Sequence, residues 1–166
     1  KKGEKAGLTI LKNIKPDDII HLFRDNRGGQ IRHLKDGDYL KLKRIAYTAM
    51  YKGMANVQGV YDDHNQLVAG AFFILSHNKA IFLFSGLSRE GRDIGAMPFL
   101  IDHFIHDHAG RHLTFDFDGS NDPSLARFYK SFGSKECWYQ RLEINRLPFL
   151  SRPAYFLYKK LLSLKA

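Results

Sequence analysis

Two runs in the middle of the chain, LVAGAFFILS (67–76) and AIFLFSGLS (80–88), are apolar at nearly every position, with only a short polar turn between them. Runs so short and so continuous predict strands covered on both faces, and the tight turn predicts antiparallel pairing. NVQGVYD (56–62), joined to them by DHNQ, predicts a third strand of the same meander. Elsewhere the apolar spacing lengthens to that of a helix. Ile19, Ile20, Leu22 and Phe23 follow Pro16-Asp17-Asp18, a proline in the first turn with carboxylates near the positive end of the helix dipole, and NRGG ends the element. From 36 to 52, Tyr39, Leu42, Ile45, Ala46, Ala49 and Met50 share one face, and Lys41, Lys43, Arg44 and Lys52 fall largely on the other. From 94 to 108, Met97, Leu100, Ile101, Phe104, Ile105 and His108 form a buried stripe that Gly110 stops. LTILKNI (8–14), LTFDFD (113–118) and residues 136–147 predict strands, and PSLARFYKSF (123–132) a short helix. SRPAYFLYKKLLSLKA (151–166) predicts a basic amphipathic helix.

This order of elements is that of an α/β (α+β) domain. The strand–helix–strand crossover after the meander places 113–118 parallel to its predecessor. The expected architecture is therefore a mixed, mostly antiparallel twisted sheet with helices on both faces and a ligand crevice where neighbouring parallel strands diverge. A chain of 166 residues, 44% apolar, builds one sizeable core. Residues 1–7 read as a linker-like tail, 8–148 as the domain and 149–166 as a C-terminal helix. The lysine-rich start without methionine points to a piece of something longer.

Charge narrows the partners. The 26 Lys and Arg against 17 Asp and Glu leave +9, which favours a phosphorylated cofactor, a nucleic acid or an acidic membrane surface. The lone Cys137 excludes an internal disulfide framework and suits a reducing compartment. No apolar run approaches the roughly 18 residues of a spanning helix. The expectation is a cytoplasmic protein without a transmembrane segment.

The densest chemistry lies in FDFDGSNDPSLARFYKSFGS (115–134). Strand alternation puts Thr114, Asp116 and Asp118 on one face and Phe115 and Phe117 on the other. These aspartates either serve a site, as base or as anchor for a cation, or cap the next turn and pair with Arg111 or Arg127. Ser120 and Asn121 are placed to cap the following helix. On it Leu125, Phe128, Tyr129 and Phe132 recur at helical spacing, so Tyr129 is either a core ring with a satisfied hydroxyl or a chemical group. His103, His106 and Asp107 lie opposite the apolar stripe of their helix with no converging ligand, so no metal is expected. Cys137 reads as packing.

The series Asn121, Ala126, Phe128-Tyr129, Phe132-Gly133 resembles the signature that closes the GNAT superfamily of acyl-CoA N-acyltransferases, with Ser134 where that signature has phenylalanine. Together with INRLP (144–148) it looks most like the Fem-like branch, whose members often carry two tandem GNAT units. SREGRDIGAMPFL (88–100) resembles the family's pyrophosphate loop: Arg92-Asp93-Ile94-Gly95 matches its first half, and Met97 occupies its last small position.

The resemblance implies acyl-CoA as donor and a small-molecule or peptide amine as acceptor. Backbone amides around Leu87 would polarise the thioester carbonyl, and Arg89, Arg92, Asp93, Ile94, Gly95, Ala96 and Asn121 would lie along the cofactor. Tyr129 would protonate the thiolate, with Asp116 or Asp118 assisting the amine. A phenol near pKa 10 stays protonated where a thiol near 8.5 ionises, so that proton order is chemically sound. The Fem-like likeness implies two alternatives: an aminoacyl-tRNA donor for extending peptidoglycan precursors, or a non-catalytic half working beside a second GNAT domain or as a homodimer.

Overall fold

The computed structural model describes residues 7–31, 34–119, 122–140, 148, 151, 153 and 155–158. The chain divides into two compact units, Lys1–Gly133 and Ser134–Ala166.

In the first unit β1 (Thr9–Lys12), β2 (Ala55–Tyr61), β3 (Leu67–Ser76), β4 (Lys79–Leu87) and β5 (Thr114–Asp116) form one sheet in that spatial order. The first four are antiparallel neighbours and β5 runs parallel to β4. The predicted mixed, mostly antiparallel sheet with helices on both faces is what the structure has. Its centre is β3, buried from Val68 to Phe73, with side chains feeding two cores in alternation.

One core packs under α1 (Pro16–Asp25) and α2 (Asp36–Tyr51), through Ile19, Ala46, Ala49, Val57 and Phe72. A pair of glycines makes room for α1. Gly70 and Gly86, cross-strand neighbours on β3 and β4, are the two that face it. A Cβ on Gly70 would lie 2.7 Å from Ile19 Cγ1, and one on Gly86 would lie 2.7 Å from the Ile19 carbonyl oxygen. The helix therefore rests almost directly on the backbone of the sheet.

The second core lies on the opposite face. There α4 (Ala96–Asp107) buries Met97, Leu100, Ile101 and Phe104 against Val60, Ala69, Phe73, Phe82 and Phe117. Phe73 and Phe104 stack at 3.9 Å between centroids. Gln58 is also fully buried, with no hydrogen-bond partner for either amide atom among the described residues. Lys12 on β1, paired across from Gln58, donates to Asp107 at the end of α4 at 2.5 Å. That contact accounts for Asp107, which sequence spacing grouped with His103 and His106.

Several boundaries differ from expectation, each for a local reason. Strand 113–118 stops at Asp116 because the Asp116 carboxylate accepts from the Asp118 N–H at 2.9 Å, and Asp118 and Gly119 then turn left-handed at φ 61° and 68°. The helix expected over 94–108 is α4, which starts at Ala96, and a separate helix, α3 (Arg89–Ile94), precedes it across Gly95 at φ 79°. Ile45, expected on the buried face of α2, is 50% exposed, and Leu125 of α5 (Pro123–Lys130) is also exposed. The cap of α5 comes from Asp122, whose carboxylate accepts from the Ser124 and Leu125 amides at 2.8 and 3.3 Å. The expected caps Ser120 and Asn121 lie outside the described residues.

In the second unit, residues 134–140 have no regular structure, and the rest of the strand expected at 136–147 lies outside the described residues. Pro153 and Tyr155–Tyr158 are helical, and the remainder of that predicted helix lies outside the described residues. No helix among the described residues is long and apolar enough to cross a membrane.

Candidate active site

Strands β4 and β5 pair over only three residues, Lys79–Ile81 against Thr114–Asp116, after which β5 ends and β4 continues alone to Leu87. Among the described residues, that leaves the second half of β4 with an open edge on the β5 side, at the carboxyl end of two parallel strands where α/β sheets hold ligands. A bulge against β3 interrupts β4 just past the stretch paired with β5. Phe72 pairs with Phe84 and Phe73 with Phe82, so Leu83 is the extra residue and β4 bends there.

The register decides which backbone groups face the opening. The Ser88 N–H donates to the Val68 carbonyl at 2.9 Å, and Ala69 faces Leu87 one step further in. In an antiparallel ladder, hydrogen-bonded and non-hydrogen-bonded pairs alternate. Ala69–Leu87 and Ala71–Ser85 are thus non-hydrogen-bonded pairs, and Leu87 and Ser85 turn their N–H and C=O away from β3 toward the open edge. Sequence reasoning named the amides around Leu87. It did not reach Ser85, whose direction depends on register and bulge together.

Tyr129, half-buried on α5, packs against Phe82, the first β4 residue beyond the stretch paired with β5. Its ring stacks on Phe117 at 4.3 Å and meets Phe82 edge-on at 6.5 Å. Phe117 in turn packs against Phe115, Phe82 and Phe132. Burial raises the Tyr129 phenol above its ordinary value of 10, and the negative charge of Asp118 raises it further. The group is therefore a proton donor throughout the neutral range. No described residue hydrogen-bonds its hydroxyl.

The two aspartates part company here. Asp116 pairs across from Ile81, on the strand face opposite Phe115 and Phe117; its carboxylate holds the Asp118 amide and lies 3.8 Å from Lys79 Nζ. Asp118, turned out of the strand by its left-handed backbone, is exposed and is the aspartate whose charge acts on Tyr129. The negative charge of Asp118 thus acts on Tyr129, whereas Asp116 holds the Asp118 amide and lies near Lys79.

Below the open edge, the segment resembling a pyrophosphate loop is helical. Ser88 caps α3 by accepting from the Gly91 N–H at 2.9 Å. Gly91 is buried so tightly that a Cβ would lie 2.2 Å from the Val68 carbonyl oxygen. The Arg92 amide donates to Ser88 O and the Gly95 amide to Arg92 O, while Asp93 and Ile94 complete the last turn of α3. The first turn of α4 offers the amides of Ala96 and Met97 but none from Pro98, and both Ala96 and Met97 are buried. Arg89 and Arg92 are exposed, as are Glu90 and Asp93 beside them. Leu87 and Ile94 are half-buried, and Asn121 lies outside the described residues.

The acidic turn after β2 is accounted for locally. Asp62, Asp63 and His64 converge within 4.8 Å, but the Asp62 carboxylate already accepts from the His64 and Gln66 amides.

With the sheet, the divergent strands and the tyrosine helix in place, comparison with solved structures is decisive for the architecture. A protein of Clostridium difficile 630 described as a possible acetyltransferase superposes with a TM-score of 0.60 at 13% identity, covering 85% of this chain and 99% of that one. The fold is that of the GNAT acetyltransferases. A predicted acetyltransferase of Clostridium acetobutylicum, solved with acetyl-CoA, gives 0.59 at 16% identity over 83% of this chain and 96% of its own. An aminoglycoside 6'-N-acetyltransferase of Acinetobacter baumannii gives 0.56 at 12% identity over 86% and 99%. No family model matches the sequence, and no curated protein matches it.

Proposed function

We propose that the chain is an N-acyltransferase that moves an acyl group from acyl-CoA to an amine. The observation that carries this reading is the half-buried Tyr129, its phenol raised above its ordinary value by burial, packed against Phe82 where β4 runs on past the end of β5. A donor carbonyl laid along that edge would accept a hydrogen bond from the outward amide of Leu87 or Ser85, which stabilises the oxyanion as the amine attacks. As the tetrahedral intermediate collapses, the carbon–sulfur bond breaks and the Tyr129 hydroxyl gives its proton to the sulfur. The acceptor must arrive as a free amine. The exposed Asp118 would hold the cationic acceptor while water carries the proton away. Arg89, Arg92 and the first turn of α4 would face the phosphates. The acetyl-CoA complex of a structural neighbour supports the donor, and the aminoglycoside acetyltransferase supports an amine acceptor.

A second reading keeps the chemistry and changes the donor. The amides from Arg92 to Gly95, expected to cradle a pyrophosphate, are largely used within α3, and the charges of its arginines and acids cancel locally. That favours a donor held mainly elsewhere, such as the aminoacyl-tRNA of Fem-like transferases that extend peptidoglycan precursors. It also suits a chain that acts as one half of a tandem pair. Calorimetric titration separates these readings. Saturable heat from acetyl-CoA and CoA supports the first. Silence toward both at millimolar concentration, with steeply salt-dependent binding of aminoacyl-tRNA, replaces it with the second.

A further inference from the structure

The second unit carries an unusual surface. Ser134–Ala166 holds seven Lys and Arg against two Glu, while the other 133 residues hold nineteen against fifteen. More than half of the net charge of +9 therefore sits in a fifth of the chain. Its described aromatic side chains are largely in solvent: Trp138 is 91% exposed, Tyr139 86%, Phe156 72% and Tyr158 60%. Leu157 is exposed as well, and the sequence continues Lys159-Lys160 directly after the helical Tyr155–Tyr158.

Exposed Trp, Tyr and Phe beside lysines suit one environment better than water or a protein core. At a lipid–water boundary the ring enters the acyl region, its N–H or O–H remains among the headgroups, and the ammonium meets lipid phosphate. A nucleic-acid partner would use the same charge but would leave Phe156 and Leu157 unsatisfied. A protein partner would be expected to meet fewer lysines and a larger share of apolar side chains.

We infer that the Ser134–Ala166 unit docks the protein on an anionic lipid surface, with the exposed Trp138, Tyr139 and Phe156–Tyr158 entering the interface and the unit's excess of positive charge drawing it to the headgroups. This holds whichever acyl donor the first unit takes. Neither the apolar side chains nor the charge is sufficient alone, so binding requires both terms and weakens with salt.

The chain has one tryptophan, so its fluorescence reports on the proposed interface alone. The full chain is mixed with vesicles of phosphatidylcholine, with or without about one third phosphatidylglycerol, and binding is read by co-sedimentation and Trp138 emission. The expected result is a blue shift and quenching by bromine-labelled acyl chains on the anionic vesicles. On neutral vesicles affinity should fall at least about tenfold. Lys159→Glu with Lys160→Glu should lose a similar factor while the far-ultraviolet circular dichroism is unchanged. Equal binding to both vesicle types overturns the proposal, as does sedimentation without quenching of Trp138. A blue shift appearing without lipid as protein concentration rises assigns the surface to self-association and also overturns it. Should the charge-reversed protein misfold, the quenching of the unaltered chain still decides.

Discussion

Around Tyr129 every ring is held by another ring, whereas along Arg89–Met97 the chain is wound into helix and its charges oppose one another. The acid end of the cleft is built from the core outward: Phe104 supports Phe115, Phe115 supports Phe117, and Phe117 carries the face of Tyr129. The Arg89–Met97 segment, proposed to face the phosphates, depends on two glycines. One packs against the backbone of β3 and the other breaks a helix, so neither widens a cradle of amides. The contrast teaches that, in the function proposed above, proton donation and donor anchoring would be separable, since the first would be fixed by packing and the second left to a few exposed side chains.

Perturbing each end should expose that separation. Gly91→Ala should have the largest effect, because the new Cβ meets a carbonyl oxygen of the central strand that cannot withdraw. Destabilisation of about 4 kcal/mol in chemical denaturation is expected. If the variant melts like the parent, the close packing of α3 on Val68 is wrong. Phe117→Ala removes the ring beneath Tyr129 and should cost about 3 kcal/mol, with a fall in activity larger than the fraction unfolded explains. Tyr129→Phe keeps the packing and deletes the proton donor. A loss of about a hundredfold in kcat is expected, with stability changed by less than about 1 kcal/mol and KM little altered. A change in KM alone would make the hydroxyl a binding group.

The smallest effect is electrostatic. Asp118→Asn removes the lesser of the two causes that raise the Tyr129 phenol, so ultraviolet titration should find its pKa lower than in the parent but still above 10. The sign for stability follows. A phenol whose folded-state value is raised contributes fully below the unfolded value near 10, and its contribution is lost as pH rises through the folded value. The parent should thus lose stability in that alkaline window, and the Asp118→Asn protein should lose less.

Much of the architecture was legible in the sequence because burial leaves a periodic trace. The continuous apolar runs marked β3 and β4, and the helical spacing of Phe128, Tyr129 and Phe132 marked the face that packs on the sheet. Features set by single hydrogen bonds were not legible. One Asx contact at Asp116 ends β5 and removes Asp118 from the alternation that grouped the two aspartates. One serine cap winds the motif-bearing loop into α3. The directions of the Ser85 and Leu87 amides need the register of β4 on β3, a property of two strands that neither segment carries alone.

The central claim is that an acyl donor lies along the open edge of β4 with its reacting group beside Tyr129. Amide-resolved NMR during titration with acetyl-CoA tests it most directly. The account predicts saturable shifts at Ser85 and Leu87 together with the Tyr129 ring, and smaller ones at Asp93 and Ile94, whose amides are engaged in α3. Saturable binding that leaves Ser85, Leu87 and Tyr129 unmoved would contradict it.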